Sequence, residues 1–273
     1  MGSGRLAGRV ALVTGSTTGI GLATAARLAA EGCDAVLTGL DPPEEGEALA
    51  VRLARETGRT VRHRRADLSL RAETEGLVAA VIDDFGRLDI LVNNAVVRHY
   101  RALSDFEPSE WDRAMAVNVT APFDLCRLAL PAMRAGGWGR IVNVSSVLGL
   151  AGRSGRADYV TSKAAIAGLT RAVAAETLRD PAITCNAIHP GSVLTPFIWA
   201  RIERLAEAEG LPFEAAAVRY RHDLGQHADF IAPERVAATI AFLCSDEAVD
   251  IHGVSLPIDG GLSATWMEPP PGR

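Results

Sequence analysis

The chain has 273 residues, of which 48% are hydrophobic and 22% charged, with 28 basic against 33 acidic side chains and a net charge of −5. That much apolar material fills the core of one large domain and excludes a disordered chain, and an acidic balance without a basic block argues against a nucleic-acid or anionic-membrane surface. Of the 28 basic residues all but Lys163 are arginine, and the two cations are not interchangeable where a compact charge is wanted.

The apolar run Val10–Val13 predicts a buried strand, and the glycine-rich segment Gly15–Gly21 leads into a helix over about 21–31 that Gly32 closes. A strand Ala35–Thr38, a charged helix over about 43–57 and a short strand near 60–64 follow. Next come a helix over about 70–85 ended by Gly86, the strand Ile90–Val92, and a long helix from about Pro108 to Arg134. The strand Ile141–Val144, a helix over about 158–177 and the strand Ile183–Ile188 continue the alternation. Strands joined by helical crossovers specify an α/β, doubly wound parallel sheet of about seven strands, a single domain over 1–273. Between Pro190 and Pro233 two helical stretches, 197–209 and 212–222, break the rhythm. An insertion after a strand's carboxyl end lies where open α/β sheets bind ligands, so residues of about 192–230 are expected to form a lid. A helix opening at Pro233 and a strand Val254–Ile258 complete the domain, and 267–273 is expected to be a mobile tail.

Cys33, Cys126, Cys185 and Cys244 are dispersed, with no C-x-x-C pair and no histidine at ligand spacing, so neither a disulfide framework nor a metal site is expected. The segment Met1–Arg5 has no apolar targeting core and no run reaches membrane-spanning length, which leads to the expectation of a soluble cytoplasmic protein. Two features carry chemistry. Thr14-Gly15-Ser16-Thr17-Thr18-Gly19-Ile20-Gly21 has the spacing G-x-x-x-G-x-G between the first strand and the first helix, where glycine permits close backbone approach and a helix N-terminus offers N–H groups to a pyrophosphate. Tyr159 and Lys163 stand four apart on one helix face. A free phenol, with a pKa of about 10, is a poor acid/base at neutral pH, and an adjacent ammonium favours the phenolate.

These two motifs, with Asn93-Asn94-Ala95 after a strand, together resemble the short-chain dehydrogenase/reductase family over about residues 9–263. The resemblance implies a Rossmann-type fold, a nicotinamide cofactor, and hydride transfer between it and a secondary alcohol/ketone. It implies that Gly15, Ser16, Thr18, Ile20 and Gly21 line the cofactor phosphates and ribose, and that Asp67 and Leu68 flank the adenine. Asn94 and Ala95 would follow the ribose, and Pro190, Gly191, Val193 and Thr195 the nicotinamide end. Tyr159 would be the general acid/base, Lys163 would tune it and bind the ribose, Ser146 would hold the substrate oxygen, and Asn118 would hold a water in the proton relay. Val96 replaces the family's usual glycine after Asn-Asn-Ala and narrows the groove. A homotetramer packed through the two long helices and the C-terminal region is also implied.

Cofactor choice turns on Thr38-Gly39-Leu40-Asp41, where the family's acid position is Gly39 and its base position Leu40, which is counted among the cofactor contacts. No cationic clamp for a 2′-phosphate is present there or in Ser16-Thr17-Thr18, and Asp41 adds repulsion, so NAD(H) is expected over NADP(H) unless Arg64 or Arg65 folds inward. On Ala66–Ser69 and Glu209–Ala217 the chain most resembles the 3-hydroxybutyrate dehydrogenase branch, whose carboxylate-binding positions carry Arg98, Leu148, Arg156 and Arg201 here. Arginine at 156 and 201 also resembles 2-hydroxypropyl-coenzyme M dehydrogenases, where an arginine pair receives a sulfonate. The expected substrate is therefore a small anionic hydroxy or oxo acid, larger or more strongly charged than hydroxybutyrate, closed in by Phe197 and Trp199. His99, Tyr100, His222 and His227 are further lining candidates. A 3-oxoacyl thioester reductase or a sugar/cyclic ketone reductase using NADPH, and a nucleotide sensor without turnover, are the alternatives.

Overall fold

The computed structural model describes residues 4–224 and 229–264. Seven parallel strands, β1 (Val10–Thr14), β2 (Asp34–Thr38), β3 (Val61–His63), β4 (Ile90–Asn93), β5 (Gly139–Val144), β6 (Ile183–Pro190) and β7 (Ser255–Ile258), form one sheet in the order β3-β2-β1-β4-β5-β6-β7. The order reverses at β1, so the connections leaving β1 and β4 part there and open a crevice at the carboxyl ends of the strands. All five residues of β1 are buried because both faces of the sheet are covered, which is why the strand reads as an unbroken apolar run.

The helices are α1 (Gly19–Ala30), α2 (Pro43–Thr57), α3 (Arg71–Phe85), α4 (Pro108–Met115), α5 (Ala121–Ala135), α6 (Ala157–Glu176), α7 (Pro196–Glu209), α8 (Phe213–Asp223) and α9 (Pro233–Cys244). Side chains alternate across each strand: Ala11 and Val13 pack with Leu28 of α1 and Ile240 of α9, while Val10 and Leu12 pack with Val81 of α3 and Leu125 of α5. Gly58 and Gly86, both left-handed, end α2 and α3 by turning their N–H groups back to Ala54 and Ile82.

One departure from the sequence expectation bears on function. The long helix expected over 108–134 is α4 and α5 joined by a π-helical turn, Ala116–Thr120, which contains Asn118. The Asn118 amide is bound on both sides to the Val97 backbone, and the extra residue in the turn accommodates that reach. All four cysteines are free and buried. Among the described residues no cluster of His, Cys, Asp or Glu could hold a metal ion, and no helix is long and apolar enough to cross a membrane. The lid region contributes α7 and α8; His227 and the tail 267–273 lie outside the described residues.

Candidate active site

A cavity of about 490 Å³ runs along the crevice from Leu40 to Tyr220. At its β1 end Gly15 and Gly19 have φ of +59° and +56°, which a side chain disfavours. A Cβ on Gly15 would also stand 2.8 Å from the Ala95 Cα, so only glycine lets the loop sit this close to the end of β4. Thr18, the residue before α1, makes no side-chain cap, leaving the first-turn N–H groups of α1 uncapped beside the stretch of cavity that Gly15, Thr18, Gly19 and Ile20 line. This glycine cradle at a helix start fits the diphosphate of a dinucleotide.

Not every residue expected at the cofactor lines the cavity. Ser16 is wholly buried beneath the loop, its Oγ donating to the Val13 carbonyl at 2.6 Å and accepting from the Thr38 N–H at 3.0 Å, so it ties the loop to β2. Gly21 lies under the loop as well, where a Cβ would overlap the Gly15 carbonyl oxygen. Asn94 donates to the Thr14 and Gly15 carbonyls, both at 2.9 Å, and so fixes the loop with its side chain while, with Ala95, it lines the cavity. Leu40, Asp67 and Leu68 line one end of the cavity, where the adenine was expected, Pro190, Gly191, Val193 and Thr195 line it as well, and so does Val96. Arg64 is held by Asp84 at 2.7 and 3.0 Å and Arg65 is outside the wall, so neither folds inward. Asp41 stands beside Gly39, its Oδ2 2.7 Å from where a Gly39 Cβ would be.

The catalytic expectations converge where β5 ends and α6 begins. Ser146, Tyr159 and Lys163 line the same stretch of cavity. Lys163 is 3% exposed, donates to the Val144 carbonyl at 2.6 Å and lies 5.7 Å from the centre of the Tyr159 ring. Burial, and secondarily the charge of Arg98, pulls its pKa from 10.5 to about 7. The two serines are distinguished by their bonds: Ser145 donates its hydroxyl to the Lys163 carbonyl at 2.7 Å, whereas the Ser146 Oγ accepts from the Leu148 N–H at 3.2 Å and keeps its hydrogen for another acceptor. Asn118 is buried behind the wall and outside the cavity lining, with its amide hydrogens on the Val97 carbonyl and Ser162 Oγ. His189, on β6, carries no motif that marks it in the sequence. Wholly buried, its Nδ1 lies 2.8 Å from the Ser146 carbonyl, and burial lowers its pKa, so the neutral ring steadies the serine backbone.

Arg98, Leu148 and Arg156 line the far wall with Tyr100, Arg153 and Tyr220. Arg156 is 5% exposed and its guanidinium stacks 4.0 Å from the Tyr100 ring centre and 4.5 Å from that of Tyr159. Arg201 stacks on Tyr100 at 4.0 Å from behind the wall, and Arg98 on Phe197 at 3.9 Å. Among the described residues none of these three arginines meets a carboxylate, and the buried Nε atoms of Arg156 and Arg201 have no hydrogen-bond partner. Trp199 does not close the pocket as expected: it stacks on Phe213 at 4.3 Å and donates to Glu203 at 2.7 Å, outside the cavity. A two-residue step along α7 turns about 200°, so Phe197 in the wall sends Trp199 away from it. His99 and His222 lie off the wall too. Tyr220 and Leu224, absent from the sequence expectation, line it; each follows a residue of the same face by four, starting from buried Ala216, a stripe legible in the sequence.

Residues 9–205 match the family model described as short chain dehydrogenase. A D-beta-hydroxybutyrate dehydrogenase of Cupriavidus necator is 40% identical, covering 95% of this chain and 99% of its own. A cis-4-hydroxycyclohexanecarboxylate dehydrogenase of Sinomonas cyclohexanicum is 37% identical, covering 94% and 97%. The crystal structure of L-sorbose reductase from Gluconobacter frateurii, complexed with NADPH and L-sorbose, is similar with a TM-score of 0.90 and 30% identity over 96% of this chain and 99% of that one. Since the likeness takes in the glycine loop and the Tyr159–Lys163 turn alike, the chain belongs to the short chain dehydrogenase family, as an NAD(P)-dependent oxidoreductase acting on CH–OH and C=O groups.

Proposed function

We propose that the protein interconverts a secondary alcohol and its ketone on a ring- or sugar-sized skeleton that carries an anionic group. The observation that carries this reading is Arg156, a guanidinium 5% exposed, beside Tyr159, without a carboxylate partner among the described residues and flanked by the part-exposed Arg98 and Arg201, which meet no carboxylate there either. A buried cation left unpaired is costly, and a substrate anion would compensate it. Hydroxybutyrate itself is disfavoured by the positions that resemble its carboxylate site, one of which is now Leu148. The cyclohexane carboxylate relative supplies a chemistry that combines ring and anion.

With the diphosphate of a dinucleotide held in the glycine cradle, its nicotinamide would supply or accept the hydride. In the reductive direction the Tyr159 hydroxyl gives its proton to the substrate oxygen, Ser146 donates a hydrogen bond to that oxygen, and Lys163 restores charge and proton at the phenol. NAD(H) is the favoured cofactor, because Asp41 beside Gly39 would repel a 2′-phosphate, while just after β3 Arg64 is held by Asp84 and Arg65 lies outside the cavity wall. A second reading, a neutral sugar or ring ketone reduced with NADPH, draws on the likeness to L-sorbose reductase. Oxidation of NADH and of NADPH followed at 340 nm with 4-oxocyclohexanecarboxylate, cyclohexanone, L-sorbose and acetoacetate separates them. The expected result is turnover of the ring carboxylate with NADH, and an Arg156→Ala variant whose KM rises about tenfold or more for it but not for cyclohexanone. Equal effects on the charged and neutral ketones would remove the anion from the proposal. The homotetramer implied by family resemblance is proposed as well, consistent with the half-exposed apolar Leu256 and Ile258 of β7, and light scattering tests it.

A further inference from the structure

Asp158 precedes the catalytic tyrosine, and no solvent reaches it. A buried carboxylate is costly unless donors surround it. Here Oδ1 accepts from the Tyr159 N–H at 2.6 Å, and Oδ2 accepts both from the His99 N–H at 3.0 Å and from the His99 ring Nδ1 at 2.9 Å. A carboxylate only accepts, so the ring nitrogen facing it carries the hydrogen. The place of Asp158 in the first turn of α6 adds the favourable end of the helix dipole.

His99 belongs to the loop after β4, and its two neighbours are pocket residues. Arg98 lines the cavity and stacks on Phe197 of α7; Tyr100 lines it and stacks with Arg156 and Arg201. The loop is tied by Asn118 at Val97 and by the Gly155 carbonyl at Arg101, and between these ties His99 fastens it to the start of α6. One carboxylate thus grips the backbone of Tyr159 and the centre of the opposite wall.

We infer that Asp158 and His99 are positioning residues, a latch that sets the Arg98–Tyr100 wall against Tyr159 and so registers the substrate to the acid/base. The catalytic part of this inference rests on the proposed role of Tyr159; the physical coupling does not. With the latch open, the wall and the phenol move independently, which affects the substrate and leaves the glycine cradle untouched.

The test uses the full chain saturated with NADH, as wild type, His99→Ala, His99→Asn (whose amide keeps a donor near the Nδ1 position) and Asp158→Asn. Hydrogen exchange is read at residues 97–101 and 157–160, NADH affinity by fluorescence, and kcat and KM on 4-oxocyclohexanecarboxylate and cyclohexanone. The latch predicts that His99→Ala and Asp158→Asn speed exchange in both segments together by about tenfold and lower kcat/KM by about tenfold, the loss of one hydrogen bond to a charged group. His99→Asn returns both to within about threefold, and NADH affinity stays within about twofold throughout. Exchange at wild-type rates in 157–160 after His99→Ala overturns the latch, as does equal impairment of His99→Ala and His99→Asn, which marks a packing role. If neither ketone turns over in the wild type, the substrate proposal fails and the exchange data alone decide the latch.

Discussion

Lys163→Met in the cofactor-free protein tests the electrostatics of the site through stability. In the fold the ammonium is buried and its pKa falls from 10.5 to about 7. Below about pH 7 folded and unfolded chains both carry the proton, and the full cost of holding it dry is present. Between there and 10.5 the unfolded chain keeps a proton that the folded chain has released, so wild-type stability rises with pH; above 10.5 nothing further changes. At about 1.4 kcal/mol per pH unit the whole window is worth at most about 5 kcal/mol, and the part from about pH 7 to about pH 9.5 about 3 kcal/mol. Methionine carries no proton and fills nearly the same volume, but loses the 2.6 Å bond to the Val144 carbonyl, an offset of about 1 kcal/mol. Urea unfolding of both proteins is expected to show the variant more stable by about 2–4 kcal/mol near about pH 6, with that lead shrinking by about 3 kcal/mol near about pH 9.5. The buried cysteines titrate identically in both and cancel. A difference that does not change with pH would refute the reasoning, since Lys163 would then have an ordinary pKa in the fold.

Tyr159→Phe removes the only proton-exchanging group of that side chain and is expected to lower kcat by about a hundredfold or more at unchanged NADH affinity, measured by steady-state rates and a fluorescence titration. Trp199→Ala changes a residue that faces Phe213 and Glu203, so kcat/KM on 4-oxocyclohexanecarboxylate is expected to stay within about twofold; a larger loss would return Trp199 to the pocket. Gly46→Ala lies inside α2, where alanine ordinarily gains about 1 kcal/mol, but here the new Cβ would overlap the buried His63 ring, and thermal unfolding is expected to show a net loss of about 1–3 kcal/mol.

The sheet was legible because its signals are local. Val10–Val13 and Ile90–Val92 are continuous apolar runs between turn residues, and a strand buried on both faces writes itself that way. The π turn at Ala116–Thr120 was not, since its cause is a contact between Asn118 and Val97, 21 positions apart, and the intervening helix pattern is unbroken. Ser16 illustrates a different limit. Its place in the glycine loop implies the cofactor, but whether a hydroxyl faces outward or under the loop depends on where the Thr38 N–H of the neighbouring strand falls. His99 and Asp158 meet across 59 positions, and neither residue type nor spacing marks that encounter.

The division between one lysine and 27 arginines acquires a physical sense in this geometry. Guanidinium keeps its charge at any pH the protein meets, and its flat face stacks on rings, as Arg156 and Arg201 do on Tyr100 and Arg98 on Phe197. Those properties suit the wall proposed to meet an anionic substrate. The role proposed for Tyr159 asks for the reverse: a cation able to give up and regain a proton near neutrality, which the burial of Lys163, drawing its pKa down to about 7, would provide. Lys163→Arg would preserve the charge and remove the exchange, so a severe fall in kcat from so conservative a change separates proton traffic from simple electrostatic support at this position.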